Sequence, residues 1–408
     1  MKRCWSLFVL ILVIGHCSKP VPTSRGTRFG DDLSFLKKHT DTFVLSDSGG
    51  QQQVAVCPQY QGRVMTSTAR GETGPGFGWI NREAIASGER QPHINVFGGE
   101  DRFWLGPEGG QFSVYFKKGD PFDLDHWQVP SAIDWDPFET TVRETAKASF
   151  RKAIQLENYS GTAFDLRVDR EVRLLSQDAV QDRMGFAIPR GASWVAYESI
   201  NTITNTGSRS WTKASGLLSI WILGMFNPSP STTVVIPFKA GPESGLGPVV
   251  NDAYFGKVPS DRLVARNGIL YFKADGQYRS KIGIGRKRAL PVCGSYDAEN
   301  RVLTLVRVTI PEPPADYVNS MWQIQEDPFG GDVVNTYNDG PPEPGAKPLG
   351  PFYELESSSP AAALRPGGSL NHVHRTIHLQ GPERELDPIA RILLGAGLED
   401  IQSAFASR

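Results

Sequence analysis

Close to its carboxyl end the chain reads Gly350-Pro351-Phe352-Tyr353-Glu354-Leu355-Glu356-Ser357-Ser358-Ser359-Pro360, the stretch that bears most directly on the fold. If it forms a strand, the alternation of side chains places Phe352, Glu354 and Glu356 on one face and Leu355 on the other. A face with two glutamates and an aromatic ring is either exposed to water at a sheet edge or lines a polar cavity. Two carboxylates this close repel each other, which raises the pKa of one of them toward the range of a general base.

A second strand is predicted directly afterwards, in residues 364–378 with the sequence LRPGGSLNHVHRTIH. The Pro-Gly-Gly turn opens the strand, and His372, His374 and His378 then share one face with Thr376. Histidines on one face can chelate a metal, but neutral imidazoles often serve as hydrogen-bonding groups within a sheet. We adopt the second interpretation and predict no metal site.

Neither the acidic loop nor the cysteines further along the chain match a metal-binding pattern. Asp120, Asp123 and Asp125 lack the spacing of an EF-hand, so a solvated loop is the preferred interpretation. Cys57 and Cys293 have no neighbouring cysteine or histidine at zinc-finger spacing. They either form one disulfide in an oxidising compartment or remain small buried hydrophobic residues.

Most of the remaining sequence also predicts strands, with helices only near the two ends. Short apolar or alternating runs between glycine, serine and proline clusters are typical of half-buried strands. One helix is predicted from Asp31 to His39, with Asp31 or Asp32 as its N-cap and Leu33 and Leu36 on one side. Another is predicted over about 387–405, with Asp387 as its cap and one apolar face formed by Ile389, Ile392, Leu393 and Ala396. The predicted strands are 43–45, 53–57, 62–65, 110–116, 164–168, 217–223, 232–238, 269–272, 302–310 and 377–379.

The composition agrees with a large all-β protein and excludes several other classes. The 408 residues include 42 glycines, 30 prolines and 10% aromatic residues, which suits a turn-rich β fold and falls short of a low-complexity composition. The 43 basic and 44 acidic residues leave a net charge of -1 without a basic block, so nucleic acid is not predicted as a partner.

The first twenty residues are predicted to be a signal peptide. Lys2 and Arg3 precede an apolar run from Leu7 to Ile14 that is too short to span a bilayer. We therefore expect export to the periplasm or the extracellular space. Cys17 follows a lipoprotein-like sequence that has His16 where a small residue is usual, so the alternatives are a lipid anchor at Cys17 and simple cleavage. Membrane attachment is expected only through that lipid, and residues 21–408 are predicted to form one β domain.

A third informative segment spans residues 98–110, with the sequence GGEDRFWLGPEGG. Paired glycines permit sharp turns or a close approach of the backbone to a ligand. Carboxylates and a guanidinium can bind sugar hydroxyls, and an indole can cover the apolar face of a sugar ring. The alternative is a buried arginine–carboxylate network under a structural tryptophan. The candidate sugar-binding residues are Glu100, Asp101, Arg102, Trp104 and Glu108.

Together these stretches resemble the galactose mutarotase-like proteins, which include the aldose 1-epimerases. The run Tyr353-Glu354-Leu355-Glu356 up to Pro360, followed by Leu-x-Pro-Gly-x-Ser-Leu at 364–370, is similar to the final part of that family. Residues 199–207, SINTITNTG, resemble its mid-chain strand ending in Thr-Asn-Thr-Gly. The Gly-Gly-x-x-Arg-Phe-Trp-x-x-Pro-Glu run resembles an uncharacterised group of secreted bacterial members.

The resemblance implies a β supersandwich of two large antiparallel sheets with short terminal helices and a sugar cleft on a concave face. In such proteins a glutamate deprotonates the anomeric hydroxyl and a histidine protonates the ring oxygen, so that the ring opens and closes again. The Leu-Glu context assigns the base to Glu356, with Glu354 as the second choice. The family's Asn-His-x-Tyr-Phe-Asn-Leu stretch is absent from this sequence, which leaves His93 and His126 as candidate acid or sugar-binding residues and Arg102 as the candidate sugar-binding arginine.

Three functions follow as alternatives. Each has a carbohydrate as its partner, apart from a purely structural role. No cofactor is predicted for any of them. The first is an exported aldose 1-epimerase-like isomerase. The second is a noncatalytic sugar-binding or structural protein, in which Trp79, Trp104 or Trp127 would stack on the sugar. The third is a polysaccharide lyase or hydrolase that uses acidic residues of the 98–110 segment.

Overall fold

The computed structural model describes residues 27–343 and 345–406. Within them the chain is mostly β-structure in antiparallel sheets, which confirms the all-β prediction. The predicted signal peptide at 1–20 and the candidate lipidation site Cys17 lie outside the described residues. None of the helices in the described ranges is both long and apolar enough to cross a membrane.

Short helices and turns connect the strands along the chain. In chain order the elements are α1 (Phe29–His39), β1 (Phe43–Ser46), β2 (Gln53–Cys57), β3 (Arg63–Thr68), α2 (Arg82–Ser87), β4 (Arg102–Gly106), α3 (Ser131–Asp134), β5 (Glu139–Arg143), β6 (Lys147–Glu157), β7 (Ala163–Leu174), α4 (Gln177–Met184), β8 (Ser193–Asn205), β9 (Ser219–Phe226), β10 (Thr232–Pro237), α5 (Glu243–Leu246), β11 (Leu263–Arg266), β12 (Ile269–Lys273), β13 (Ser280–Gly285), β14 (Val292–Asp297), β15 (Val302–Val308), β16 (Asp332–Asn338), β17 (Tyr353–Ser358), β18 (Ser369–Gln380), α6 (Glu383–Leu394) and α7 (Leu398–Gln402).

The larger of the two main sheets has ten strands in the order β11-β12-β10-β14-β15-β18-β8-β7-β6-β5. At its centre β18 pairs with β8 along its whole length, from Ser369 opposite Thr204 to Gln380 opposite Ser193. Alternate residues along β18 and β7 are buried, because one face of the sheet packs on the core. The strand predicted from residues 364–378 is therefore a central strand of this sheet.

The smaller main sheet has five strands in the order β13-β16-β17-β9-β4 and packs one face against the larger sheet. Tyr353 and Ser357 of β17 point toward the larger sheet, where the Tyr353 hydroxyl lies 2.8 Å from Ser295 Oγ. Ser357 Oγ lies 2.8 Å from both His372 and His374. Since side chains alternate, Glu354 and Glu356 point to the opposite face of this small sheet.

A three-stranded sheet, β1-β2-β3, with α1 against it completes the described structure. Cys57 at the end of β2 is buried among apolar residues of this layer, whereas Cys293 is buried between the two main sheets. Both thiols are free. Of the two alternatives predicted for these cysteines, the structure agrees with the second: Cys57 and Cys293 are buried in apolar surroundings and are not joined by a disulfide.

The terminal helices correspond to the predictions with corrected boundaries. The first begins at Phe29 with Arg28 as its N-cap, although Leu33 and Leu36 are buried as predicted. The predicted helix over 387–405 is instead two helices, α6 and α7, separated at Gly395 in a left-handed conformation. Asp387 lies inside α6, where its carboxylate accepts a hydrogen bond from the Leu398 N–H at the start of α7.

The apolar face predicted for the last helix is partly wrong. Leu386, Ile389, Ala390 and Leu394 are buried in α6, but Ile392 is 69% exposed. The helix begins four residues earlier than predicted, which adds Leu386 to the buried face. The prediction that residues 21–408 form a single domain stays a prediction.

Candidate functional site

The candidate site lies on the face of the small sheet that points away from the large sheet. Antiparallel register places Asn335 of β16, Glu356 of β17, Leu223 of β9 and Arg102 of β4 in one row across this face. Tyr337 and Glu354 lie in the adjacent row. Cross-strand neighbours on one face are close enough for their side chains to contact each other. Residues from four separate parts of the chain therefore converge here.

Glu356 is completely buried and paired with a cation. Its Oε2 accepts hydrogen bonds from Lys281 Nζ at 3.0 Å and from Trp221 Nε1 at 2.9 Å. Burial alone would lower the pKa of Lys281, but the negative charges of Glu356, Glu108 and Glu354 outweigh it and raise that pKa. Lys281 and Trp221 thus fix the position of Oε2, while Oε1 of Glu356 has no hydrogen-bond partner among the described residues.

Glu354 lies two residues away and is held in a different way. Arg102 Nη2 donates to its Oε1 at 3.3 Å, in a pair that is almost entirely buried. Burial first, and then the charge of Glu356, raise the pKa of Glu354 to about 8, although Arg102 and Lys281 oppose the shift. The sequence predicted a raised pKa from carboxyl repulsion alone, whereas in the structure burial is the larger cause and the charge of Glu356 adds to it.

Glu108 is the third carboxyl group of the cluster and the only one of the three that is partly exposed. It follows β4 in a turn where its backbone N–H donates to Ser320 Oγ at 3.1 Å. Burial raises the pKa of Glu108 to about 7. The charge of Glu356 adds to this shift, whereas the charge of Lys281 and a side-chain hydrogen bond with Trp322 oppose it. A carboxyl group with a pKa of about 7 and access to solvent is suited to general acid–base catalysis.

Several polar atoms of this cluster are buried without any hydrogen-bond partner in the described part of the chain. They are Glu356 Oε1, Arg102 Nε and Nη1, and Trp104 Nε1. An unpaired buried donor or acceptor costs about 1–3 kcal/mol. Three donors and one carboxylate acceptor therefore remain unpaired on one face of the small sheet.

Aromatic rings form one wall of the cluster next to Glu108. Trp104 lies below the guanidinium of Arg102, with its ring centroid 4.2 Å from Cζ, and is 5.5 Å from Trp221. Beyond it Tyr115 stacks on Trp127, and Trp127 lies 5.6 Å from Trp322. Trp127 and Trp322 are half-buried, so part of each ring is accessible at the surface.

The opposite wall is a loop that closes over the edge strand β13. The Tyr254 hydroxyl donates to Asp332 Oδ2 at 2.6 Å and accepts from Asn335 Nδ2 at 3.2 Å. The ring of Tyr254 lies 5.3 Å from Lys281 Nζ. Gly283 permits this arrangement, because a Cβ there would approach Asp332 Oδ2 to 2.0 Å.

Of the residues predicted in the segment 98–110, the structure brings Arg102, Trp104 and Glu108 to this site and turns two others away from it. Glu100 lies between the sheets, where it accepts hydrogen bonds from Ser67, Tyr197 and His378. Asp101 is also fully buried and forms a 2.6 Å ion pair with Arg170 of β7. Glu100 and Asp101, which were predicted to bind substrate, thus point away from the cluster, and Asp101 forms a buried arginine–carboxylate pair like that of the alternative.

The remaining candidates lie elsewhere. His93 is exposed and its Nδ1 lies 2.7 Å from the carbonyl oxygen of Trp127. His126 is exposed and pairs with Asp123 at 2.6 Å. Neither histidine contacts Glu354 or Glu356, so neither lies where it could donate a proton to a substrate bound there. Trp79 is buried against Phe352, with ring centroids 4.7 Å apart, and is a packing residue rather than a platform.

The histidines of β18 point into the interface between the sheets. His372 and His374 share Ser357 Oγ, while His378 contacts Thr304 and Glu100. Burial lowers the pKa of His372 to about 3 and that of His374 to about 4, so both are neutral near pH 7. No group of three or more metal-ligating side chains with suitable geometry occurs within residues 27–343 and 345–406.

A surface depression of about 460 Å³ lies away from this cluster. Its lining includes Glu139, Arg151, Lys152 and Arg167 on the outer part of the large sheet. Arg151 and Arg167 both pair with Asp169, so the two guanidinium groups that line the depression already have a carboxylate partner. We therefore base the candidate site on the buried cluster of the small sheet.

Four residues of the cluster were not predicted from the sequence, namely Lys281, Trp221, Trp322 and Tyr254. Each comes from a stretch without a recognisable motif. Trp221 lies in a predicted strand, 217–223, and the apolar run around it gave no reason to prefer one face. Lys281 is a single lysine at the start of the short strand β13. Only the pairing of β13, β16 and β17 brings it to Glu356.

Solved structures with similar folds agree with the architecture. A protein of Escherichia coli K12 provisionally described as an aldose 1-epimerase superimposes with a TM-score of 0.50 at 13% identity, covering 84% of this chain and 99% of that chain. The Slr1438 protein of Synechocystis sp. PCC 6803 gives a TM-score of 0.50 at 13% identity, with 84% and 96% covered. A galactose mutarotase-like protein of Lactobacillus casei ATCC 334 gives 0.46 at 11% identity, with 83% and 99% covered.

The fold is thus a galactose mutarotase-like β-sandwich, as the sequence predicted. At these identities the likeness concerns the fold alone. The chain itself belongs to a family of unknown function, DUF6786, whose model matches residues 27–405. No curated protein matches the sequence.

Proposed function

We propose that this protein is a sugar isomerase that interconverts the anomers of an aldose at the buried cluster of the small sheet. The observation that carries the proposal is the convergence of three carboxyl groups with unpaired, buried hydrogen-bonding atoms of Arg102, Trp104 and Glu356. Two of the carboxyl groups have pKa values of about 7 and about 8, which is where an enzyme needs an acid at neutral pH.

In the proposed reaction Glu356 takes the proton of the anomeric hydroxyl through Oε1, its unpaired oxygen. As the O1–H bond breaks, C1–O1 becomes a carbonyl and the bond from C1 to the ring oxygen breaks. Glu108, protonated below its pKa, donates a proton to the ring oxygen. Rotation about the C1–C2 bond and the reverse steps close the ring as the other anomer, and the proton inventory is restored.

Other residues of the cluster bind and orient the sugar. Arg102 and Trp104 donate their free N–H groups to hydroxyls, and Glu354 holds the guanidinium of Arg102 in place. Lys281 and Trp221 donate hydrogen bonds to Glu356 Oε2 and orient its carboxyl group. A carboxyl group thus replaces the histidine acid that the resemblance implied, which explains why this chain lacks the corresponding histidine motif.

The test is anomer exchange on purified protein, measured by magnetisation-exchange NMR over a panel of free aldoses. General acid–base groups contribute about 10²–10⁴-fold each, so Glu356→Gln and Glu108→Gln should each lose at least 100-fold of the exchange rate. The rate should fall as the pH rises above about 7, because Glu108 then loses its proton, and this decrease should be absent in Glu108→Gln. Glu171→Gln, a half-buried glutamate on β7 outside the cluster, is the matched control.

Glu354 is the alternative acid, and the same experiment decides between the two. If the decrease with pH lies near 8 and disappears only in Glu354→Gln, the acid is Glu354. Sugar binding that survives in Glu356→Gln together with no exchange in the unmodified protein would indicate the noncatalytic sugar-binding function instead. If Glu356→Gln, Glu108→Gln and Glu354→Gln all keep both sugar binding and anomer exchange, the site lies elsewhere.

Export is proposed on separate grounds, from the sequence of residues 1–20 alone. We propose secretion to the periplasm or the extracellular space, either with simple cleavage of the signal peptide or with a lipid anchor at Cys17. Cell fractionation combined with mass spectrometry of the mature amino terminus tests this. A diacylglyceryl group on Cys17 would support the anchor, and a free amino terminus beyond residue 17 would support simple cleavage.

A further inference from the structure

We propose that a ligand bound at the cluster extends past Lys281 into a second sugar subsite formed by Phe255, Arg279 and Tyr337. The ligand would then be an oligosaccharide of two or more rings, with its reducing-end ring beside Glu356 and the next ring against Phe255. This inference rests on the proposed function, because it takes the position of the reducing end from it.

Phe255 is an aromatic residue that the fold leaves in solvent. Its side chain is 45% exposed, although burial of a phenylalanine is worth about 1.5–3 kcal/mol. The ring is nevertheless held in place. The guanidinium carbon of Arg279 lies 4.0 Å from its centroid, and the ring of Tyr337 meets it edge to face at 5.9 Å. A fixed ring with an exposed surface loses little conformational entropy when a ligand stacks on it.

This platform adjoins the buried cluster. Tyr337 lies opposite Glu354 on β17 and opposite Lys281 on β13. Tyr254, the residue before Phe255, contacts the cluster through Asn335 and approaches Lys281. The loop that carries Phe255 is therefore the same loop that packs beside Lys281 over the edge strand.

The chemistry of the platform fits a sugar ring better than an apolar partner. Arg279 takes part in no salt bridge among the residues that the structure describes, so its N–H groups remain free to donate to ring hydroxyls beside the aromatic surface. An isolated phenylalanine with a guanidinium next to it is a small amphipathic surface. It matches one pyranose ring, which has one apolar C–H face and a rim of hydroxyls.

The experiment compares sugars that share the same reducing-end residue. Glucose is measured against cellobiose, maltose and lactose, and galactose against a panel of galactobioses, with anomer exchange and calorimetric affinity as readouts. We expect the unmodified protein to prefer at least one disaccharide over its monosaccharide in kcat/KM and in affinity. Aromatic stacking is worth about 2- to 10-fold, so Phe255→Ala should reduce that preference by this factor and leave the monosaccharide unchanged.

Two further variants make the result specific. Phe255→Tyr keeps the ring and should keep the preference, whereas Ile392→Ala removes a more exposed apolar side chain on α6 and should change neither sugar. Equal loss for mono- and disaccharide in Phe255→Ala, or no preference in the unmodified protein, overturns the subsite. If no sugar undergoes exchange, the proposed catalytic function fails on its own, while calorimetric preference for a disaccharide that depends on Phe255 would still support the subsite.

Discussion

Replacing Lys281 with methionine tests the electrostatic centre of the site without any assumption about the ligand. The substitution keeps most of the side-chain volume and removes the only cation bonded to Glu356 in the described chain. Since Glu356 is fully buried and the lysine side chain is 9% exposed, the remaining carboxylate would keep a single donor, Trp221. Breaking a buried ion pair in this way costs about 3–5 kcal/mol.

Protonation of Glu356 limits that cost and makes it depend on pH. Neutralising a glutamate with an unfolded pKa of about 4.3 costs about 5 kcal/mol near pH 8 but only about 1 kcal/mol near pH 5. In Lys281→Met the folded protein therefore binds a proton that the unfolded chain has released, so its stability falls as the pH rises. We expect a loss of about 3–5 kcal/mol near pH 8 and of about 1 kcal/mol near pH 5, each relative to the unmodified protein.

The assay is urea unfolding at the two pH values, followed by tryptophan fluorescence and circular dichroism. The double variant Lys281→Met with Glu356→Gln removes both charges and should recover most of the stability near pH 8, with little dependence on pH. Lys147→Met is the matched control, because Lys147 forms an exposed pair with Glu144 and should change stability by about 0.5 kcal/mol or less. A loss in Lys281→Met that is below about 1 kcal/mol near pH 8, or equal at both pH values, would refute the described pairing.

Three further outcomes follow from groups buried between or beside the sheets. Arg170→Met should destabilise the protein by about 3–5 kcal/mol in urea unfolding, because Asp101 would be left as a fully buried carboxylate; a cost below about 1 kcal/mol would contradict that geometry. The free energy of unfolding should fall as the pH drops from about 6.5 toward 4, by about 1 kcal/mol per pH unit for a buried histidine such as His374, because the unfolded chain takes up a proton that the folded chain excludes. Urea unfolding of His374→Gln should show a smaller decrease with pH. A decrease equal to that of the unmodified protein would contradict the burial of His374. Cys57 and Cys293 should react with a thiol reagent only after unfolding, as read by mass spectrometry of each peptide, whereas labelling of the folded protein would show that they are accessible.

The all-β class followed from local patterns because many strands carry their own signal, but the strand predicted over 110–116 is a loop, and β13, β14 and β16 were not predicted. Alternation around Glu354 and Glu356 predicted which side chains share a face, and the structure has them on one face of β17. The same reasoning placed the histidines of β18 together. It failed for the last helix, where the apolar spacing that included Ile392 did not reveal that the helix begins at Glu383. Helix ends depend on capping and packing contacts that lie outside the apolar pattern.

The segment 98–110 shows where such reasoning stops. Its charged residues were interpreted as one group, yet Glu100 and Asp101 point between the sheets while Arg102 points to the opposite face. Asp101 and Arg102 are neighbours and face opposite ways, as alternation in a strand requires, whereas Glu100 lies before β4 begins and its direction does not follow that alternation. Composition alone could not distinguish the binding residues from the buried network.

The sequence by itself determined the all-β class and the strand that carries both glutamates, because these depend on composition and on spacing within one segment. Only the tertiary structure decided which charges meet. Lys281 and Trp221 lie 75 and 135 residues from Glu356 along the chain, and Arg102 lies 252 residues from Glu354. Strand order and register bring these side chains together, and the burial that results raises the pKa values of Glu108 and Glu354.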